Sequence, residues 1–393
     1  GTQNTDYDPG RKYDFNIIRG NIDYKFTKNN LSVTPGLEYT SAVVDDREYS
    51  DLINKTGLLN GRGKITTQSA SIHSEYKMLH NKLRLVAGFE GNKFNYPDTG
   101  YISNEFAATF KLNKKNLFRA VYSRAPRSAS VFDTYVTKTL NYYPVGYRTF
   151  TKIALEPNKN PTLLTAHMFE IGYRGNLGTG FEIDVEIFDI NAVNYNTPVN
   201  SRPYVQLNGV DTIVVVPVRS TTIPLKLRQR GITVSLTYSS RRLQVNPFIT
   251  LQHTRMKDYA PFINTPDAGT PGAAQNNIYS GIGTTEKLKS TPTVFGGASA
   301  NYQPISKVNI NISTYYYSSQ TYYHLANILY NDGERGIDHI KAKLILNARV
   351  SYEATKGLQI FCSGKNILDD RSREFFRTDA VPFMLMGGLN YEL

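Results

Sequence analysis

The chain has 393 residues, 40% of them hydrophobic, and a formal net charge of +12. No run approaches the roughly 20 consecutive apolar residues of a membrane helix; the densest, Thr212 to Val218, is short and holds Pro217. Lys and Arg recur along most segments without a run of five, which argues against a nucleic-acid patch and fits an anion-attracting lumen or a rim beside anionic headgroups.

In chain order, the first alternating segment is Ile18, Gly20, Ile22, Tyr24 and Phe26, followed by a polar turn at Lys28-Asn29-Asn30 and then Leu31, Val33, Pro35, Leu37 and Tyr39. Successive side chains of a strand point to opposite faces, so this pattern predicts a hairpin with one apolar face. Equivalent pairs flank turns near His80-Asn81, Asn113 to Lys115, Gly175 to Gly180, Ser239 to Arg242, Gln303 to Lys307 and Glu353 to Gly357. Their apolar sets include Phe106, Ala108, Phe110 and Leu112, then Phe181, Ile183, Val185 and Ile187, and later Ile232, Val234, Leu236 and Tyr238. The chain closes on Val381, Phe383, Leu385, Gly387, Leu389, Tyr391 and Leu393 at every second position.

The other connections are long, at 41–62, 91–101, 125–164, 190–222, 254–290, 318–338 and 369–380, and collect Gly, Pro, Asn, Asp and Tyr. Tight turns alternating with long loops are the pattern of an outer-membrane barrel, with periplasmic turns and extracellular loops. The expected fold is therefore all-β: a transmembrane antiparallel β-barrel of about 15 strands. An odd count cannot close a bacterial barrel, and seven further strands would complete a plugged barrel of about 22. Residues 1–393 are accordingly expected to be a single barrel domain and a fragment, with an N-terminal plug and first strands missing. Gly1 to Asp8 is polar and begins without methionine, so no signal peptide is read there. A soluble all-β repeat protein with long loops on one face remains the competing fold.

No catalytic motif stands out: there is no H-E-x-x-H, G-x-S-x-G or C-x-x-C. Gly57 to Lys64 misses phosphate-loop spacing and continues into Ile65, so it reads as a loop feeding a strand. No two of His73, His80, His167, His253, His324 and His339 lie three or four apart, so no metal or cofactor site is expected. Cys362 permits no internal disulfide and falls at an outward position. The polar alternate set, including Asn16, Asp23, Glu90, Arg119, Glu170, Glu182, Asp184, Glu186, Asn309, Asn311 and Lys343, is expected to face a wet lumen or a plug; a one-residue slip of register would swap the faces.

Two loops are rich in aromatics. One holds Tyr135, Tyr142, Tyr143, Tyr147 and Arg148; the other holds Tyr315, Tyr316, Tyr317, Tyr322, Tyr323 and His324. Aromatic and Arg side chains supply energy at recognition surfaces, whereas tyrosines at strand ends also form an interfacial girdle. Tyr316 continues an outward set and is assigned to the girdle. Tyr143, Tyr147, Arg148, Tyr322 and Tyr323 are the candidate ligand contacts.

Several segments together resemble the C-terminal barrel portion of TonB-dependent outer-membrane receptors. Leu117 to Pro126 resembles the family strand that ends in Arg-Ala-Pro, shorter by two residues before Arg124-Ala125-Pro126. Leu155 to Pro161, followed by Phe169 to Gly175, is similar to the Asn-Pro segment and the strand after it; Phe181 to Asn191 and Gly364 to Asp370 match two later segments. These cover most of residues 115–393 in the family's order, while residues 1–115 match only in style. The family usually ends in an aromatic residue, and this chain ends in Leu393. Plug and energy-coupling box are absent from this sequence. Haem receptors of the family place a histidine between the two motifs, and none occurs between Pro126 and Pro161.

The resemblance implies a receptor in the Gram-negative cell outer membrane that captures a scarce nutrient complex, a ferric siderophore first. It would be embedded in outer-membrane lipid and lipopolysaccharide and would draw energy from the TonB complex through the missing plug, with no nucleic acid and no enzymatic chemistry. A passive porin or a surface-adhesin barrel is the alternative; a barrel-borne enzyme would need clustered His with Ser or Asp at one rim.

Overall fold

The computed structural model describes residues 12–50, 57–127, 130–258, 285–323, 337–375 and 378–392. β1 (Asp14–Asp23) and β2 (Phe26–Lys28) lie end to end along one edge of β3 (Leu31–Asp45). β4 (Arg62–Met78), β5 (Leu83–Phe94), β6 (Gly100–Lys111) and β7 (Asn116–Pro126) extend the sheet as antiparallel neighbours. The chain then leaves through a short helix, α1 (Val131–Tyr135), and a hairpin of β8 (Lys138–Gly146) and β9 (Thr149–Glu156). It returns as β10 (Thr165–Gly178), beside β7, and β11 (Phe181–Val193).

A second excursion holds β12 (Tyr195–Asn200), β13 (Tyr204–Asn208) and β14 (Asp211–Ile223). β15 (Lys226–Ser239) then pairs with β11, and β16 (Leu243–Lys257) with β15. β17 (Thr285–Lys287) and β18 (Val294–Ile305) lie end to end along β16, and β19 (Val308–Tyr317) follows. After a separate small hairpin of β20 (Gln320–Tyr323) and β21 (Ile337–Ile340), β22 (Lys343–Thr355), β23 (Leu358–Lys365) and β24 (Met384–Tyr391) complete the order.

Among the described residues the main sheet has seventeen segments. Because β1 and β2 share one edge of β3, and β17 and β18 one edge of β16, they form fifteen spans, the number read from the sequence. Turns of two to four residues join alternate pairs at one end of this wall; the opposite end carries the longer connections. Asn29, His80, Asn81, Thr179 and Gly357 take positive φ in these turns, the left-handed geometry that closes a tight hairpin in register with twisted strands. Among the described residues, β1 and β24 each pair on one edge only.

Register carries the two faces across the wall. Ile171 stands opposite Ile187, Ile187 opposite Ile232, and Ile232 opposite Leu251. Further along, Ile312 faces Ala348, and Ile360 faces Leu389. Many of these side chains stay open to the surroundings: Ile187 is 55% exposed and Leu389 71%. An apolar face of this extent is what a hydrocarbon solvent requires, because only the alternate residues touch lipid while every backbone group is paired in the sheet.

The opposite face is polar and concave, since Arg119 on β7 reaches across β10 to Glu186 on β11. Glu90, Glu170, Glu182, Asp184, Asn309 and Asn311 fall on it, as the alternation requires. Asn16 does not. It shares a face with Ile18, two residues away, so the expected inward position is corrected to the apolar side. Lys343 is on the polar face, but loop residues 371–375 bury it completely, so it lines no open lumen.

The largest departure concerns the loops. Residues 125–164 and 190–222 read as irregular connections, yet much of both folds into a second, five-stranded sheet in which β14 lies between β9 on one edge and β12 and β13 on the other. The β9–β14 pairing is parallel, Thr149 to Thr212 through Glu156 to Arg219. A small apolar core of Val44, Leu59, Ile65 and Val131 roots α1 on the end of β3 and β4. The connection expected at 91–101 shrinks to 95–99 because β5 and β6 run on. Most of the 254–290 connection, and the first part of the chain through Arg11, lie outside the described residues.

Candidate functional site

Two surfaces can meet a solute: the polar face of the wall and the structures at its loop end. On the polar face, the central feature is a charge network. Arg119 Nε donates to Glu170 Oε1 at 2.9 Å, its second terminal nitrogen contacts Glu186, and Arg174 Nε donates to Asp184 Oδ2 at 2.6 Å. Gly172 makes this reach possible: a Cβ there would stand 2.7 Å from Arg119 Nε and 2.8 Å from its Cγ. The guanidinium therefore lies over bare backbone. With side chains about one-fifth exposed on Arg119, Glu170 and Asp184, screening is weaker than at an open surface.

Further along the wall, a concavity of about 820 Å³ is lined by Asn246, Ser299, Asn311, Asn347 and Arg349 among others. Arg349 covers the Phe361 ring at 4.0 Å, a cation–π contact that fixes its orientation while leaving its fork free to bond. Lys365 also lines the concavity, which therefore combines amide and hydroxyl groups with two cations.

At the loop end, the expected contacts fall into two groups. Tyr143 sits in β8, half-buried, opposite Thr151. Tyr147 and Arg148 form the tip of the β8–β9 hairpin, where Tyr147 is 88% exposed, Arg148 has φ of 49°, and its guanidinium lies 5.5 Å from the Tyr147 ring centroid. Neighbouring Tyr142 stacks on Phe150, which stiffens the hairpin. Tyr322 and Tyr323 belong to β20, in a different sheet, opposite Asp338 and Ile337. Tyr322 Oη donates to Gln320 Oε1 at 3.0 Å. No described contact joins the two groups. Tyr135, by contrast, is structural: its hydroxyl donates to the Lys64 carbonyl at 2.8 Å and its ring meets Tyr96 edge-on. Tyr316 faces the apolar side opposite Leu344, as expected of a girdle residue. His324 lies outside the described residues.

Sequence reasoning missed the clamp below β20 and β21. Arg373 grips Asp338 with both terminal nitrogens, at 2.5 and 3.1 Å, and the Asp338 side chain is 1% exposed. Lys343 Nζ donates to the Ser372 carbonyl at 2.9 Å and Glu374 Oε1 at 3.1 Å. The pairing could not be read from spacing, because 35 residues separate Arg373 from Asp338. Beside the clamp is a pocket of about 420 Å³ lined by His339, Lys341, Arg371 and Arg373. In the same loop, the Ser372 amide bonds Asp370 and holds its carboxyl below the usual range; Arg371 does the same for Asp369. Asp338 lines it too and pairs with Arg373, and Arg371 pairs with Asp369, so the lining carries both signs of charge.

The Gly57–Lys64 segment is explained without a ligand. Buried Asp46 accepts the amides of Leu59, Asn60 and Gly61 at 2.7, 3.1 and 2.8 Å, tying the loop down.

No family model matches the sequence, and a search of curated proteins finds no match. Among solved structures, the chain resembles the siderophore receptor PirA from Acinetobacter baumannii, with 13% identity and a TM-score of 0.66 over 96% of this chain and 55% of that one. The ferric enterobactin receptor PfeA from Pseudomonas aeruginosa is similar at 14% identity and a TM-score of 0.66, over 96% and 54%. The FrpB iron transporter from Neisseria meningitidis matches at 13% identity and a TM-score of 0.61, over 96% and 55%. The fold is that of the barrel of TonB-dependent outer-membrane receptors, and the chain spans about half the length of these solved structures.

Proposed function

We propose that this chain is the greater part of the barrel of an outer-membrane active-transport receptor that captures a ferric siderophore and imports it with TonB-derived energy. The carrying observation is the wall itself: fifteen registered spans, apolar on one face and polar on the other, with the fold of receptors for siderophores and iron. In this reading the tight turns are periplasmic, the long connections extracellular, and residues 1–393 one barrel domain. A plug held by the polar face would complete the lumen and meet TonB. Capture needs no covalent step. Tyr143, Tyr147, Arg148, Tyr322 and Tyr323 would contact the chelate at the loop end.

The test is growth of a gene deletion on iron-limited medium with single ferric chelates as the iron source. Failure on one chelate, restored by the intact gene, supports the reading; normal growth on all of them removes the substrate. Replacing Tyr147 and Arg148 together by Ala should weaken chelate binding by about tenfold or more, as expected of hot-spot contacts worth 1–2 kcal/mol. Unchanged binding would remove these two from the site.

A further inference from the structure

The net charge of +12 is divided unevenly between the two ends of the wall. Seven tight turns close one end: residues 29–30, 79–82, 112–115, 179–180, 240–242, 306–307 and 356–357. Together they hold Lys82, Lys114, Lys115, Arg241, Arg242, Lys307 and Lys356, all exposed, and no carboxylate. Among the described residues none of these seven cations pairs with an acid; Arg242 donates to the Pro304 carbonyl at 3.2 Å. On the adjoining strands Glu75 is taken by Arg84 at 2.7 Å and Lys77 at 3.4 Å, and Glu353 and Glu392 flank only the last turn. The loop end is different, with Asp45 on Arg47, Asp98 on Lys93, Glu156 on Arg219 and Asp369 on Arg371.

Register shows where these cations stand relative to lipid. The outward positions beside the turns hold rings: Phe110 opposite Phe118, Phe181 opposite Tyr238, and Tyr302, Tyr352 and Tyr391 further along. Of the strand cations nearest the turns, Lys77, Arg84 and Lys111 face inward and Lys28 outward. Lys114 follows Phe110 by four residues, Arg241 follows Tyr238 by three and Lys356 follows Tyr352 by four. A ring of aromatic side chains marks the edge of the membrane. The charged tips therefore project past that edge into water.

We propose that the tight-turn end docks a carboxylate-bearing polymer, the peptide-linked glycan of the cell wall. The inference rests on the outer-membrane reading above, which puts the turns in the periplasm, and adds a partner there. Neighbouring hairpins lie two strands apart, about 10 Å, and five of the seven turns carry a cation. A small anion meets one or two such side chains at a time, and a single exposed ion pair contributes little. A polymer with free carboxylates on successive stem peptides meets several turns at once, and each linked contact after the first forms at high effective concentration. Lysine suits this, being a compact charge on a flexible stem that needs no fixed geometry. With no acid in the turns, nothing there repels the polymer or competes for the cations.

The experiment is co-sedimentation of the detergent-purified protein with insoluble peptidoglycan sacculi. The protein should pellet with them at about 0.1 M salt and be released at about 1 M, where the screening length falls to about 3 Å. Sacculi with amidated carboxylates should hold it at least about tenfold less; equal binding to both overturns the proposal. Free acetate at the same carboxylate concentration should not displace the protein, nor should micelles containing phosphatidylglycerol. Displacement by acetate would make the turns a simple ion exchanger, displacement by the micelles a lipid-headgroup site, and either overturns it. The variant K82Q/K114Q/K115Q/R241Q should bind sacculi about tenfold or more weakly, whereas R47Q/R62Q/K93Q/R219Q, at the loop end, should bind normally. Equal loss in both, or none in the first, is the contrary result. Should the first variant not fold, as judged by heat-modifiable gel mobility, the amidation comparison on the unmodified protein decides. A protein that stays in water without detergent refutes the barrel reading itself, while a correctly inserted barrel that leaves sacculi unbound refutes only the docking surface.

Discussion

The fifteen-span wall and the five-stranded sheet at its loop end are both β structure, yet they are built on different physics. Wall strands mostly pair with the next span along the chain, alternately through tight turns and longer connections, and leave apolar side chains such as Ile187 and Leu389 open on one face. The second sheet brings together segments from two excursions and buries β14 on both faces, with Val215 2% exposed on one and Val216 8% on the other. The wall needs lipid to satisfy its apolar side; the small sheet carries its own core. Pro217, unusual in a central strand, sits where the neighbour on one edge changes from β13, which ends opposite Val215, to β12, which begins opposite Val218. Its missing amide therefore leaves no gap in the ladder there.

If the two regions are separately stable, a charge placed in β14 should damage one alone. Val215→Asp should destabilise the small sheet by about 3–5 kcal/mol, the cost of an unpaired buried charge. Proteolysis within residues 138–223 should follow while the heat-modifiable mobility of the barrel persists. Loss of both together would show a single cooperative unit. The converse is Ile232→Arg in the belt, expected to cost about 2–4 kcal/mol of insertion free energy. It should slow folding into phospholipid vesicles and leave protease resistance of the small sheet intact.

A smaller effect tests the polar face. Gly172→Val should crowd Arg119 and cost about 1–3 kcal/mol by overpacking, measurable by urea titration of the barrel in vesicles. The penalty should largely vanish in an Arg119→Ala background; persistence there would place the strain elsewhere. The mildest effect is on the clamp loop. Because Asp369 and Asp370 have folded values lowered by Arg371 and by the Ser372 amide, their stabilisation is fully present above the unfolded carboxyl value of about 3.9. It fades as pH falls through the lowered folded values. Amide exchange in residues 369–375 should therefore rise on strong acidification while the wall stays protected.

The wall was legible because period-two alternation survives wherever one face meets lipid and the other a wet interior. Ile183, Val185 and Ile187 against Glu182, Asp184 and Glu186 could be sorted by inspection. Asn16 misleads because the alternation inverts at this end of β1: Asp14 and Asn16 share the face of Ile18, while Phe15 and Ile17 share that of Arg19. The small sheet was hidden because Ile213 to Val216 is a continuous apolar run, which shows no period when both faces are buried. Its parallel pairing with Thr149 to Glu156 also spans more than 60 residues. Tyr143, Tyr147 and Arg148 could be picked out as an aromatic cluster, but not their separation from Tyr322 and Tyr323 in another sheet.

What the amino-acid order determined by itself was the two-faced wall, its turns and the sequence of its spans, since side-chain alternation and turn chemistry are local. Long-range closure decided the rest: which excursions pair, where Arg373 finds Asp338, and how Arg119 on β7 comes within reach of Glu186 on β11. Those arrangements depend on register summed over many neighbours, a quantity no single segment contains.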